Sequence, residues 1–126
     1  MGMNSGYPGL PLLMATYELA RRLRRAPIER VLGREVAIAS GPLLRTLGLA
    51  LLDRERAGAG LLIPRCRSVH TFGMRFVLDL HFLDADGAPV STHVQVPPCR
   101  VVSDRRALAV LELPAGRGEE FVVPRP

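Results

Sequence analysis

The stretch Phe76-Val77-Leu78-Asp79-Leu80-His81-Phe82 places a large apolar side chain at every even position and a mixed set at the odd ones. Alternation with period two marks a strand that turns one face to a core. Residues 88–96 return, with Thr92, Val94 and Val96 as their more apolar set. For the two apolar sets to share a face, the numbers of paired residues must add to an even total. A two-residue loop at Asp86-Gly87 violates that condition, whereas a three-residue loop, Ala85-Asp86-Gly87, satisfies it. The expected connection is a type I turn closed by a left-handed Gly87 in a G1 bulge, pairing Leu78 with Val94 and Phe76 with Val96. The opposite face then sets Asp79 against His93 and His81 against Ser91.

Outward from this hairpin, short apolar runs between turn residues predict strands over about 60–63, 66–70, 75–83, 88–96, 100–103, 107–113 and 119–123. Val36 and Ile38 alternate as in a further short strand over 35–39. Ser40-Gly41-Pro42 is then a helix-start signal, followed by one apolar stripe of Leu43, Leu44, Leu47, Ala50 and Leu51 that ends near Asp53. Ala57-Gly58-Ala59-Gly60 reads as a loop. The fold class predicted is mainly β: a small antiparallel β-barrel or sandwich-like domain over 35–126, with one helix after the first strand.

Residues 1–34 form a different kind of segment. The first nine are rich in Gly, Asn, Ser and Pro. From Pro11 to about Arg25, Leu12, Ala15, Thr16, Leu19, Ala20 and Leu23 share one side of a helical wheel, with Glu18, Arg21, Arg22 and Arg25 on the other. Pro27 ends this amphipathic helix. Such an arm can dock on the domain, on a second copy to make a homodimer, or on acidic lipid or RNA. Because the predicted strands and the 43–53 helix lie beyond it, a chain starting near Gly33 is expected to unfold cooperatively on its own.

The chain has 126 residues, 48% of them apolar, and no Trp, which suits a single aliphatic core. Every cationic side chain is Arg, a bias expected of GC-rich bacterial coding and not of a mechanism. Of the net +5 charge, residues 1–34 carry six Arg against two Glu, so the basicity belongs to the arm. The body lacks a basic stripe interleaved with stacking aromatics, and nucleic-acid binding is not expected of it. Cys66 and Cys99 show neither Cys-x-x-Cys nor zinc-finger spacing, which excludes a structural zinc site and leaves a single disulfide open. The apolar stretch Leu10 to Ala15 is short and lacks a basic segment before it, so no signal peptide is read and a reduced, cytoplasmic protein is expected. No run reaches the length of a bilayer span.

Polar residues in apolar surroundings are the candidates for ligand binding: His70, Arg75, Asp79, His93 and Glu112. Each has a structural alternative. His70 can be a hydrogen-bonded scaffold residue beside a turn. Asp79, disfavoured in a strand, can bond backbone amides. Glu112 can form an ion pair with Arg75 or Arg45. Arg45 and Arg54 otherwise read as a solvated helix face, and Phe72 and Met74 as core. Asp79, His81 and His93 are chemically admissible metal ligands, but two i, i+2 positions and one cross-strand partner are too common a pattern to assign a metal. Neither Cys66 nor Ser68 stands in a nucleophile elbow, and no glycine-rich loop precedes a helix, so no catalytic residue and no cofactor is assigned.

The ordered series Arg45-Thr-Leu-Gly48-Leu49, Gly60-Leu-Leu-Ile-Pro64, Ser68-Val-His70-Thr71-Phe72-Gly-Met74-Arg75-Phe76, Asp79, Phe82-Leu-Asp84, Gly87 and Leu111-Glu112-Leu113-Pro114-Ala115-Gly116 resembles the domain of unknown function 192, also called uncharacterised protein family 0127. The resemblance covers about residues 35 to 123 and implies a compact β-barrel or sandwich-like fold with a helix after the first strand. It implies no activity, since the family has none established. Two positions depart from the family pattern: Ala50 stands where Met is usual after Gly48-Leu49, and Val77 where Pro is usual after Phe76. Many relatives carry a secretion signal where this chain has its arm, so localisation is not carried over. The function expected is a small-molecule or peptide-binding module with a polar pocket. The alternatives are a hydrolase-like enzyme using His70 with Asp79 or Glu112, and an interaction protein whose arm docks a partner or a membrane surface.

Overall fold

In the computed structural model, which describes residues 10–116, the hairpin that decides the fold lies at one side of a six-stranded sheet. The expected strand at 119–123 and the first nine residues fall outside the described range. The elements in chain order are α1 (Leu10–Arg25), β1 (Ile28–Val31), β2 (Arg34–Ile38), α2 (Pro42–Leu47), α3 (Arg54–Ala57), β3 (Leu61–Pro64), β4 (Ser68–His70), β5 (Leu78–Leu83), β6 (Pro89–Val96), β7 (Val101–Ser103) and β8 (Ala109–Pro114). The main sheet runs β1-β2-β3-β8-β5-β6, and β4 pairs with β7 in a second, two-stranded sheet. Among the described residues β1 and β6 remain edges, so the sheet they form is not a closed barrel and the domain is sandwich-like. All pairings are antiparallel except β2 with β3, which are parallel and joined through α2 and α3. A parallel pair needs such a crossover, and this one lays its helices on one face of the sheet.

That face holds the main core. Leu78, Leu80 and Phe82, the even positions of β5, are fully buried with Leu61, Ile63 and Val110 beneath the helices. A smaller cluster of Val31, Val36, Leu62, Leu83, Leu111 and Leu113 occupies the opposite face. The arm joins the main core: Leu19, Ala20, Leu23 and Ala26 are buried in it. Residues 28–31, read as part of the arm, instead form β1 and pair along four residues with β2. The helix after the first strand therefore follows the second, and two of the structural elements needed by the sheet and its core lie before Gly33. This removes the basis for expecting the chain from Gly33 onward to fold alone.

The helix predicted to run to Asp53 stops at Leu47, because Gly48 adopts φ 59 and ψ −127, outside helical space. After an irregular segment, Asp53 caps α3 by accepting from the Arg56 N–H at 2.9 Å.

The loop of the β5–β6 hairpin matches its prediction. Asp84 C=O accepts from Gly87 N–H, Asp84 N–H donates to Ala88 C=O, and Gly87 lies at φ +79. The pairing further along does not match. Leu83 still faces Pro89, but irregularities then shift the register so that Phe82 faces Ser91, His81 faces Thr92, Leu80 faces His93 and Leu78 faces Val96. Asp79 and His93 are consequently on opposite faces, and His81 is not paired with Ser91. Val94, expected in the core, is 63% exposed, while Val96 is buried. Phe76 precedes the strand and is only half-buried. The shift between Phe82 and Leu83 is the one that turns His93 to the face opposite Asp79. Asp79 supplies the physical reason for the later shift, between Leu80 and Leu78: its carboxylate accepts the N–H of Gln95 at 2.8 Å, and Gln95 sits at φ 53, turning the strand where a regular ladder would continue.

Candidate functional site

β8 lies between β3 and β5, so each of its residues meets neighbours on both sides. Even positions face the main core, and Glu112 therefore stands between the fully buried Leu61 and Leu80. Only 3% of this residue is exposed. Removing a carboxylate from water disfavours its charge, and burial pushes the Glu112 pKa up to about 7, against a smaller opposing effect from the Leu49 N–H that it accepts. Its Oε1 has no hydrogen-bond partner among the described residues. A buried polar atom left unpaired is costly and uncommon in folded proteins.

Glu112 is at the base of a cleft of about 40 Å³, whose walls include Arg45, Gly48, Cys66, Ser68 and His70. The space suits a water or a single functional group. α2 delivers the first wall: Arg45 donates through Nη1 to Pro64 C=O at 2.6 Å and through Nη2 to Arg65 C=O. It therefore ties α2 to the end of β3, instead of forming a solvated helix face. β4 delivers the second. His70 Nδ1 accepts from the Phe72 N–H at 3.3 Å, which leaves the neutral ring's proton on Nε2, donated to Thr46 C=O at 3.2 Å. The His70 ring also stacks on Phe72, which is 51% exposed and not in the core, whereas Met74 is buried as expected.

Other hydroxyl and thiol groups at the cleft are engaged as well. Cys66 Sγ donates to Ser68 C=O, and Ser68 Oγ accepts from Ser103 Oγ at 2.8 Å. Cys66 and Cys99 are both free. Cys66 and Ser68 also border a wider groove of about 690 Å³ with Arg65, Arg67, Ala107 and Leu108. A separate depression of about 350 Å³ separates the β1–β2 hairpin from the 84–87 turn. Its Asp84 carboxylate is committed to the N–H groups of Asp86 and Ala88.

Of the five residues selected from sequence, His70 and Glu112 share the cleft. Asp79 is on the other face of the sheet, since Asp79 faces Leu113 and Glu112 faces Leu80 across the β5–β8 pairing. His93 is on the core face beside Leu80, its ring edge-on to Phe82 at 5.6 Å. Arg75 is exposed, and no ion pair joins it or Arg45 to Glu112 among the described residues. His81 bonds Thr92 Oγ1, and burial lowers its pKa, with Asp79 opposing and Arg34 adding to the shift. No group of three or more His, Cys, Asp or Glu among the described residues could hold a metal ion. Arg45, Gly48, Cys66 and Ser68 were not selected as site residues. The available signal was that 45–49, 68–76 and 111–116 all carry the family resemblance, and these three segments meet at the cleft.

Two solved structures share the fold. One is a "putative transcription regulator" of Sinorhizobium meliloti 1021, at 24% identity and a TM-score of 0.56, aligned over 75% of this chain and 82% of that one. The other is a protein of unknown function from Novosphingobium aromaticivorans DSM 12444, at 16% identity and a TM-score of 0.53, over 81% and 91% of the two chains. These likenesses concern architecture alone. No curated protein matches the chain. The model of the DUF192 family, described as an uncharacterized ACR, matches residues 26–124, and the chain belongs to that family.

Proposed function

We propose that the chain is a binding module for a small polar molecule, whose hydrogen-bond-donating head group enters the cleft and gives Glu112 Oε1 the partner it lacks. The observation that carries this reading is the orphaned, buried Oε1 at the base of a space sized for one functional group. A primary ammonium or amide is the head group of choice, because a donor offsets the desolvation of the carboxylate and a cation favours its ionised form. The wider groove beyond Cys66 and Ser68 accommodates the rest of the ligand, with apolar contact from Leu108 and with Arg65 and Arg67 at its margin.

The hydrolase-like alternative has less support. A general base needs a free ring nitrogen, and both nitrogens of His70 are occupied by backbone groups. Asp79 is on the far face of the sheet and cannot complete a pair with it.

Titration of methylammonium and acetamide into the full chain, followed by NMR, tests the reading. The expected result is a saturable change at the Leu49 amide, the His70 ring and Glu112, with methylammonium favoured as pH rises through the Glu112 pKa. Glu112→Gln should abolish the methylammonium response. Perturbation elsewhere only, or an unchanged response in Glu112→Gln, refutes the assignment.

A further inference from the structure

The inward face of α1 is accounted for by the core, but its outward face is not. Leu13, Met14 and Tyr17 are 64%, 60% and 61% exposed. Single exposed apolar residues are ordinary, but positions i, i+1 and i+4 are contiguous on a helix surface. Arg21, Arg24 and Arg25 continue the same side over the last turns, since successive residues advance by 100°. Glu18 is the only acid in the helix and is engaged by Arg21 and Arg22. Beside this face, Arg21, Arg22 and Arg25 border a depression of about 250 Å³ with Ala26 and Ser40. Three guanidinium groups around a space of that size suit an anionic headgroup.

We infer that the outward face of α1 docks the protein on an anionic lipid surface, with Leu13, Met14 and Tyr17 entering the acyl boundary and Arg21, Arg24 and Arg25 meeting headgroup phosphates. Charge and pattern select this occupant. A second copy packed in parallel would oppose Arg to Arg, and one packed antiparallel would set each apolar turn against the partner's Arg cluster. RNA would use the Arg residues but leave Leu13 and Met14 in water, and the face offers one aromatic ring for stacking. A planar interface takes both halves together: apolar side chains sink, and Arg reaches to the phosphates on its long stem. The helix is about 24 Å long and lies along the surface. None of the described helices is long and apolar enough to cross a membrane.

Co-sedimentation of the full chain with vesicles of phosphatidylcholine alone, and of equal parts phosphatidylcholine and phosphatidylglycerol, tests the inference. Binding is expected to the acidic vesicles only, and to weaken with added salt. Replacing the three Arg (R21Q, R24Q, R25Q) should lower partitioning by about a hundredfold, taking each as worth roughly fivefold near an anionic surface. L13S, M14S and Y17S together should lower it by about tenfold or more with the melting temperature unchanged, because those side chains touch solvent and not the core. Equal binding to both vesicles, or to neither, overturns the inference. It is equally overturned if lipid binding is absent and the apolar substitutions convert a dimer to a monomer in sedimentation velocity, which would assign the face to a second copy. Binding to a single-stranded RNA oligonucleotide without vesicle binding would assign it to nucleic acid.

Discussion

The Glu112 carboxylate rests so closely against Gly48 that a Cβ on Gly48 would lie 2.7 Å from Oε1. The same glycine, at φ 59 and ψ −127, ends α2 and precedes the Leu49 N–H that donates to the carboxylate. Gly48 thus serves the site twice, by leaving room and by turning the next amide toward Glu112. Gly48→Ala is expected to lose about 1–3 kcal/mol from backbone strain alone, with the steric conflict in addition. In a Glu112→Ala background the steric part should vanish. Urea unfolding of the four proteins measures it, and strictly additive losses would show that the contact carries no energy.

The raised pKa of Glu112 predicts a pH dependence of stability. The ordinary value is 4.5 and the folded value about 7, so between them the folded state holds a proton that the unfolded state has released. Stability from this group is full below the unfolded value and falls as pH rises through the folded one, by roughly 3 kcal/mol in all. His81 acts in the opposite sense: its folded pKa is lowered, so its contribution is lost as pH falls below 6.5. Comparing unfolding of the wild type and Glu112→Gln at about pH 5 and about pH 8 isolates the first effect. The wild type should lose more than the variant across that interval. Parallel losses would place the titration elsewhere.

The β5–β6 hairpin separates what the sequence reveals from what it conceals. Alternation in β5 is local, and Leu78, Leu80 and Phe82 were legible because each side chain's direction follows from the pleat. The turn was legible because Gly87 marks a positive φ. The second shift is unmarked: Gln95 adopts φ 53 without being glycine, held by the Asp79 carboxylate. A polar residue in an apolar strand therefore suggested a ligand where it supports the backbone. β1 escaped because Ile28-Glu-Arg-Val31 is short, has polar central residues and follows Pro27. At the site, His70 and Glu112 stood out as polar residues among apolar neighbours. Arg45 and Gly48 did not, since their roles depend on the approach of α2 to β3 and β8, which no local pattern encodes.

Gly87 provides a contrast to Gly48. It has φ +79, but among the described residues no atom beyond its chain neighbours lies within 4 Å of a Cβ placed on it. Gly87→Val should therefore suffer the left-handed penalty alone, about 1–2 kcal/mol, without steric conflict. Chemical denaturation gives the loss directly. A variant as stable as the parent would mean that the turn can adopt another conformation.

The arm gives the last test, because composition and packing point in opposite directions. Its charge and its position outside the predicted strands suggested a separable extension. The structure buries Leu19 and Leu23 beside Leu44 and Ala57 in the main core, and pairs β1 with β2. Truncating one such leucine to Ala typically costs about 2–5 kcal/mol, against about 5–15 kcal/mol for the stability of a whole domain. A chain beginning at Gly33 loses both leucines and the β1 edge at once, a larger change than most small domains survive. It is expected to lack a cooperative thermal transition, and Leu23→Ala alone should lower the midpoint of the full chain. If the shortened chain kept the parent's midpoint, the burial of α1 would contribute nothing net. Losses in the full-chain leucine variants that match the collapse of the shortened chain would instead make α1 an integral layer of the fold, with its inner face committed to the core and only its outer face free to meet a surface.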